Sequence, residues 1–268
     1  MVIYKVVMVE AVPHFHLTHK QLEARAEDII SLITELRPQL GLAEALTATW
    51  DRYVDGEPQV DLRRFSELIA DARRQAMIQR QLDDDRMRLH SGELDHEHRV
   101  EVGHHYETLR REACIYNHLL RGVIEQYGEH FSRDELTDWL TRASQGVHPW
   151  AIGEITGAVS EVLLHAALMG LPELIDLRYG TVEEDLHGYD FVGFWQGKMV
   201  TMDAKTGLYR PLTERKHGHR HLEISVPRNA AKEFHITRHG LDTLRHEARQ
   251  ALHAGFTPLI HASHQFYN

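Results

Sequence analysis

The chain has 268 residues, 42% hydrophobic and 26% charged, with a formal charge of −10. That length supports one large core or two modest ones, and no apolar run approaches the roughly 20 residues that span a bilayer. The single cysteine, Cys114, excludes an intramolecular disulfide and a Cys-based zinc cage. It favours a cytoplasmic address, while the acidic balance opposes broad contact with nucleic-acid phosphates.

Val2–Glu10 reads as a strand, because the stretch MVIYKVVMVEAVPHFH lacks the small-residue cleavage site of a signal peptide. Thr18 is a candidate N-cap for the helix THKQLEARAEDIISLITEL, which Arg37-Pro38 stops. DLRRFSELIADARRQAMIQRQL and HYETLRREACIYNHLLRGVIEQYG show helical spacing, and the polar segment RLHSGELDHEHRVEVGHH between them reads as a loop. SRDELTDWLTRA opens on Ser132 with Glu135 three residues later, the capping-box signature. SQGVHP marks a boundary. It divides a mainly helical region, 1–147, suited to recognition or oligomerisation, from a second domain, 148–268. The first region carries no helix-turn-helix or zinc-finger pattern.

Beyond the boundary, PWAIGEITGAVSEVLLHAALMG predicts a helix whose apolar face holds Ile152, Ile155, Val159, Val162, Leu163 and Ala166. Then follow a hairpin (YDFVGFWQGKMVTMDAK), a basic loop (TERKHGHRH), a strand (LEISV), a helix (LDTLRHEARQALHAG) and a last strand (TPLIHAS). Helix, three strands, helix, strand is an α/β order, a mixed sheet flanked by helices. Charge is also redistributed here: Lys198–Arg249 holds 11 basic against 6 acidic residues, so an acidic chain can still present a basic face.

The hairpin interrupts two apolar runs with Asp190, Asp203 and Lys205. With Gln196-Gly197 as a two-residue turn, paired positions sum to 393, so Trp195 faces Lys198 and Asp190 faces Asp203. Opposed residues share a face, and Lys205 joins them by the two-residue period of a strand. Two adjacent carboxylates repel unless a proton or a cation intervenes. Hard oxygen ligands suit Mg²⁺ or Mn²⁺, and an ammonium beside such an ion suits stabilisation of a phosphoryl group. The competing reading is an edge hairpin with both aspartates in water and Lys205 paired to one of them.

Asp190, with Gly188-Tyr189 before it in place of the nominal proline, followed by Asp203-Ala204-Lys205, resembles the PD-(D/E)XK nuclease superfamily over residues 150–264. The resemblance implies a restriction-endonuclease-like fold and a divalent-metal-dependent nuclease, most often an endodeoxyribonuclease acting on double-stranded DNA, with 5′-phosphate and 3′-hydroxyl products. It implies Asp190 and Asp203 as ligands of Mg²⁺ or Mn²⁺ and Lys205 as the group that positions or activates water. It further implies that Glu161 on the preceding helix ligates a second ion or assists through water, with Glu154 in reserve. Members that cut both strands are often homodimers. The rival reading is a catalytically silent nuclease-like module that binds nucleic acid or protein, and a third is an RNA-directed nuclease.

Arg215, Lys216 and Arg220 in the basic loop, extended by Arg210, Arg228 and Lys232, are candidate phosphate contacts, against a plain solvated face. Arg245 and His246 on the last helix read as surface residues. The 22 histidines, His217, His219 and His221 among them, read as composition, because no carboxylate-supported spacing such as HExxH accompanies them. Glu161 has an ordinary alternative as well, a pairing with His165 one turn on.

Overall fold

The computed structural model describes residues 18–36, 62–206, 212–216, 219–228 and 238–256. The expected strand at Val2–Glu10, the stop at Arg37-Pro38 and the last strand TPLIHAS lie outside these residues, as do Arg210 and Lys232. The described residues form two compact units, one up to Val159 and one from Ser160. Residues 145–150, where the sequence suggests a boundary, belong to the first.

The first unit is helical: α1 (His19–Leu36), α2 (Arg63–Ser91), α3 (His96–Tyr127), α4 (Arg133–Ala143) and the first half of α5 (Ala151–Met169). Its starts are locally encoded. The Gln21 side chain accepts from the Thr18 backbone N–H at 2.7 Å, and the Ser132/Glu135 capping box is complete. The core gathers around Phe65, whose ring meets Tyr127 and Trp139 edge-on with Phe131 beside it. Leu22, Leu68, Ile69, Leu120, Leu136 and Leu140 are fully enclosed with it.

The expected loop RLHSGELDHEHRVEVGHH is a correction. α2 continues to Ser91, only Gly92–Asp95 break the helices, and α3 begins at His96. Gly92 takes the left-handed conformation that ends a helix, with φ 73°. Asp95 caps α3 by accepting from the His98 N–H at 2.9 Å. Polar residues build these turns because the helices meet through polar contacts there, buried Asp85 bonding His105 Nδ1 at 2.5 Å.

The second unit is an α/β layer. It holds the rest of α5, β1 (Leu174–Tyr179), the short α6 (Val182–Leu186), β2 (Phe191–Trp195), β3 (Lys198–Thr206), β4 (Leu212–Lys216), β5 (His219–Val226) and α7 (Arg238–Phe256). The five strands lie in the order β1-β2-β3-β5-β4. β3 and β5 are parallel and the other pairs antiparallel, so the sheet is mixed, as the element order implies. α7 packs on β5, and its buried Leu244, Ala248, Ala251 and Leu252 recur at helical spacing.

Three expectations for this unit change. LIDLRYGTVEEDLHG, unassigned from sequence, forms β1 and α6. The basic "loop" is a β-hairpin, with Arg215 opposite Arg220 and Lys216 opposite His219. A run of charges reads as loop, yet charged side chains are also what an edge strand such as β4 needs to resist pairing with other chains. On α5, Ile152 is exposed and Ala166 half-buried, while Leu164, Ala167 and Leu168 are buried. The apolar band is thus broader than the six residues expected. By length and hydropathy α5 could cross a membrane, but half of that window is buried within the protein, and a core helix meets the same criterion.

α6 carries a testable ion pair. Glu184 closes a capping box with Thr181 and takes both arms of Arg178 of β1, at 2.6 and 2.7 Å. The hydrogen bond to Arg178, against a smaller cost of burial, holds the Glu184 carboxyl down at about 2. A carboxylate depressed in the folded state contributes stability above its unfolded pKa, which is lost as pH falls through the folded one. Glu184→Gln keeps a capping side chain and loses the pair. The variant is expected to be less stable by on the order of 1 kcal/mol at pH 7, after screening at this partly exposed site. In urea titrations the difference should shrink from about pH 4 and vanish near pH 2.

Candidate active site

The hairpin register follows the sequence reading. Gln196 and Gly197 both have positive φ, 51° and 73°, as a two-residue type I′ turn requires. Phe191 then pairs with Met202 and Trp195 with Lys198, which sets Asp190, one residue before β2, against Asp203. Both are almost fully buried, at 8% and 5% exposure. That burial removes the solvated aspartates of the competing reading, while its pairing of Lys205 with one aspartate is present.

Several local devices hold Asp190. Its Oδ2 accepts from the Ala204 N–H at 2.7 Å, so the carboxylate is tied to the strand that carries Asp203 and Lys205. Behind it, Gly188 takes a positive φ of 79° and returns the chain from α6. The Tyr189 N–H donates to the Glu184 carbonyl at 3.0 Å, and the Asp190 carbonyl accepts from the Gly180 N–H at 2.8 Å. Gly180 permits this approach, since a Cβ there would collide with the Tyr189 carbonyl oxygen. Gly180→Ala is therefore expected to cost about 1–3 kcal/mol in denaturant unfolding, and to misplace Asp190.

The acidic cluster is wider than the pair. Ser160 Oγ lies 2.6 Å from Thr206 Oγ1, which fixes this turn of α5 at the end of β3. The next residue, half-buried Glu161, bears on Asp190 electrostatically. Burial first, then the Glu161 charge, then the hydrogen bond and charge of Asp203 push the Asp190 carboxyl well above the ordinary carboxylate range. Glu154, the reserve residue, is engaged in the helical unit. Its two oxygens accept from Gln79 at 3.2 Å and Asn117 at 2.7 Å.

Lys205 pairs directly with Asp203 Oδ2. Burial disfavours its charge, but the Asp203 hydrogen bond and the charges of Asp203, Asp190 and Glu223 outweigh that and raise its pKa. Lys205 is an ammonium at neutral pH.

Two neighbours were not expected. β5 runs parallel beside β3 with Asp203 against Glu223 and Thr201 against His221. Side chains of Glu223 and His221 therefore share the Asp203 face, while Leu222, Ile224 and Val226 are fully buried at the alternate positions. One ligand atom each from Asp203, His221 and Glu223 lie within 4.8 Å of one another. His221 is fully buried; its Nδ1 lies 3.1 Å from Thr201 Oγ1 and its ring 5.5 Å from that of Tyr189. Treating His221 as loop composition is corrected by this placement. The available signal was the one that exposed the hairpin: HLEISV sets the titratable His221 and Glu223 two apart, alternating with apolar Leu222, Ile224 and Val226.

Of the candidate phosphate contacts, Arg215, Lys216 and Arg220 lie on the β4–β5 hairpin and Arg228 is exposed just after β5. Arg245 packs against Gly170 and pairs with Asp242 at 2.9 Å. His246 bonds Gln250 at 2.8 Å. Neither extends the cluster.

No family model, curated protein or solved structure matches the chain.

Proposed function

We propose that the chain is a divalent-metal-dependent nuclease of the PD-(D/E)XK type, with a restriction-endonuclease-like domain, acting as an endodeoxyribonuclease on double-stranded DNA. The observation that carries the reading is the convergence of buried Asp190 and Asp203 with Lys205 and Glu161 at one end of a mixed sheet. A hairpin whose aspartates merely met solvent would have no cause to bury two like charges against each other.

The donor set fits a hard dication. Asp190 and Asp203 oppose one another, and burial together with the charges of Glu161 and Asp203 raises the Asp190 carboxyl, a cost that a cation would relieve. Asp190, Asp203 and Glu161 would hold Mg²⁺ or Mn²⁺ through oxygen. Such an ion lowers the pKa of bound water and offsets charge on the phosphoryl oxygens. Lys205, as an ammonium, suits donation to the attacking oxygen and to the phosphoryl group more than removal of a proton. Water adds to phosphorus as the P–O3′ bond breaks; the water's proton leaves to solvent, and the departing 3′ oxygen gains one. The Ala204 N–H keeps Asp190 in place throughout.

Basic residues on the β4–β5 hairpin and at Arg228 support contact with phosphates, in a chain whose charge otherwise repels them. Cutting both strands would suit a homodimer. The silent-module reading is disfavoured by the intact carboxylates and lysine. The direct test is supercoiled-plasmid digestion with Mg²⁺, with Mn²⁺ and with chelator. Ion-dependent nicking or linearisation is expected, and no cleavage with either ion would remove the reading.

A further inference from the structure

The acidic cluster continues past the proposed nuclease ligands, across β3 onto β5. There Asp203, Glu223 and the fully buried His221 bring one donor atom each within 4.8 Å of the others. We propose that these three residues form a second cation site, selective for a later divalent first-row transition ion such as Co²⁺ or Zn²⁺ over Mg²⁺. The inference builds on the nuclease reading, because Asp203 would serve both sites.

Three features favour a ligand over a structural cluster. The register is obligatory: parallel pairing of Asp203 with Glu223 and of Thr201 with His221 places all of these side chains on one face. The cluster is rich in carboxylates: Asp203, Asp190 and Glu223 all bear on the Lys205 ammonium, and Glu161 bears on Asp190. Lastly, the third donor is an imidazole, fully buried on this face. Oxygen donors serve Mg²⁺ and Mn²⁺ alike, whereas imidazole favours the later transition ions. Thr201, 3.1 Å from Nδ1, is the partner that orients the ring, the role such contacts have around metal-bound histidines.

Co²⁺ is the probe, read by its visible absorption and by calorimetry on the full chain. The other histidines give a background common to all variants, so the signal is the difference from wild type. Glu223→Gln and His221→Asn are expected to weaken the Co²⁺ site at least about tenfold, with Mg²⁺ binding changed by less than about twofold. The double variant Glu161→Gln/Asp190→Asn should keep the Co²⁺ band. Circular dichroism checks folding, and half-buried Glu223 is the decisive position should the His221 variant not fold. Unchanged Co²⁺ binding in Glu223→Gln overturns the inference, as does loss of the band in the double variant. Binding that appears only in Lys205→Met also overturns it, since the ammonium would then be the resident cation. A Co²⁺ site lost in Glu223→Gln, in a protein that cleaves no plasmid with any ion, would sink the nuclease reading and leave the metal site standing. Mg²⁺-dependent cleavage without a Co²⁺ site would do the reverse.

Discussion

Asp203→Asn and Lys205→Ala are each expected to lower plasmid cleavage at saturating Mg²⁺ by at least about 100-fold, the scale of losing one preorganised group that meets developing charge. Asp203 lies at the centre of the cluster. It opposes Asp190, pairs with Lys205 and adjoins Glu223. Its amide analogue preserves volume and removes the charge, so a large effect reports electrostatics and not packing. Lys205 is 39% exposed, so truncating it costs little core and leaves the fold in place. Glu154→Gln is the matched control. It removes a carboxylate on the same helix as Glu161, but one bonded to Gln79 and Asn117, and its cleavage rate should stay within about twofold of wild type. Full activity in Asp203→Asn and Lys205→Ala would remove the proposed site, whatever the chain cleaves.

Asp190→Asn is expected to stabilise the metal-free protein while abolishing the stabilisation that the metal confers. In chelator, Asp190 must either share a proton with Asp203 or tolerate the charges of Glu161 and Asp203 while buried. Its carboxyl is raised in the folded state. The stabilising contribution is then complete below the unfolded pKa, near 4, and is lost as pH rises through the folded value. Metal-free wild type should therefore melt at progressively lower temperature as pH rises above about 4, and the Asn variant should follow a flatter curve. An amide oxygen can still accept from the Ala204 N–H, and its NH₂ can donate to Asp203. Relief of about 1 kcal/mol would raise Tm at pH 7 by roughly 4–8 °C for a unit of this size. With Mg²⁺ or Mn²⁺ at 100 times Kd, wild type should gain about 2.7 kcal/mol, and the variant much less. Parallel pH profiles for the two metal-free proteins would show that Asp190 does not bear the strain assigned to it.

These expectations were legible to different depths. The Asp190/Asp203 opposition could be read directly, because a two-residue turn and a period of two determine a hairpin register from residues close in sequence. Capping at Thr18 and Ser132 was equally local. The Thr181/Glu184 capping box is written in the same code, and with it α6, whose caps deliver Asp190 to its place. Histidine and charge runs misled in two ways. They hid the meeting of α2 and α3, where polar contacts stand in for an apolar stripe, and they disguised an edge hairpin as a loop.

By itself the amino-acid order determined the α/β character of the second half, the turn at Gln196-Gly197 and the shared face of Asp190, Asp203 and Lys205, all consequences of short-range backbone geometry. The tertiary structure alone decided that β5 lies parallel to β3, which brings His221 and Glu223 to Asp203, that Glu161 bears on Asp190, and that Glu154 is bonded to Gln79 and Asn117. Parallel pairing and the docking of a helix join segments distant along the chain. They depend on which surfaces bury one another best, a property of the whole packed unit that no window of sequence contains.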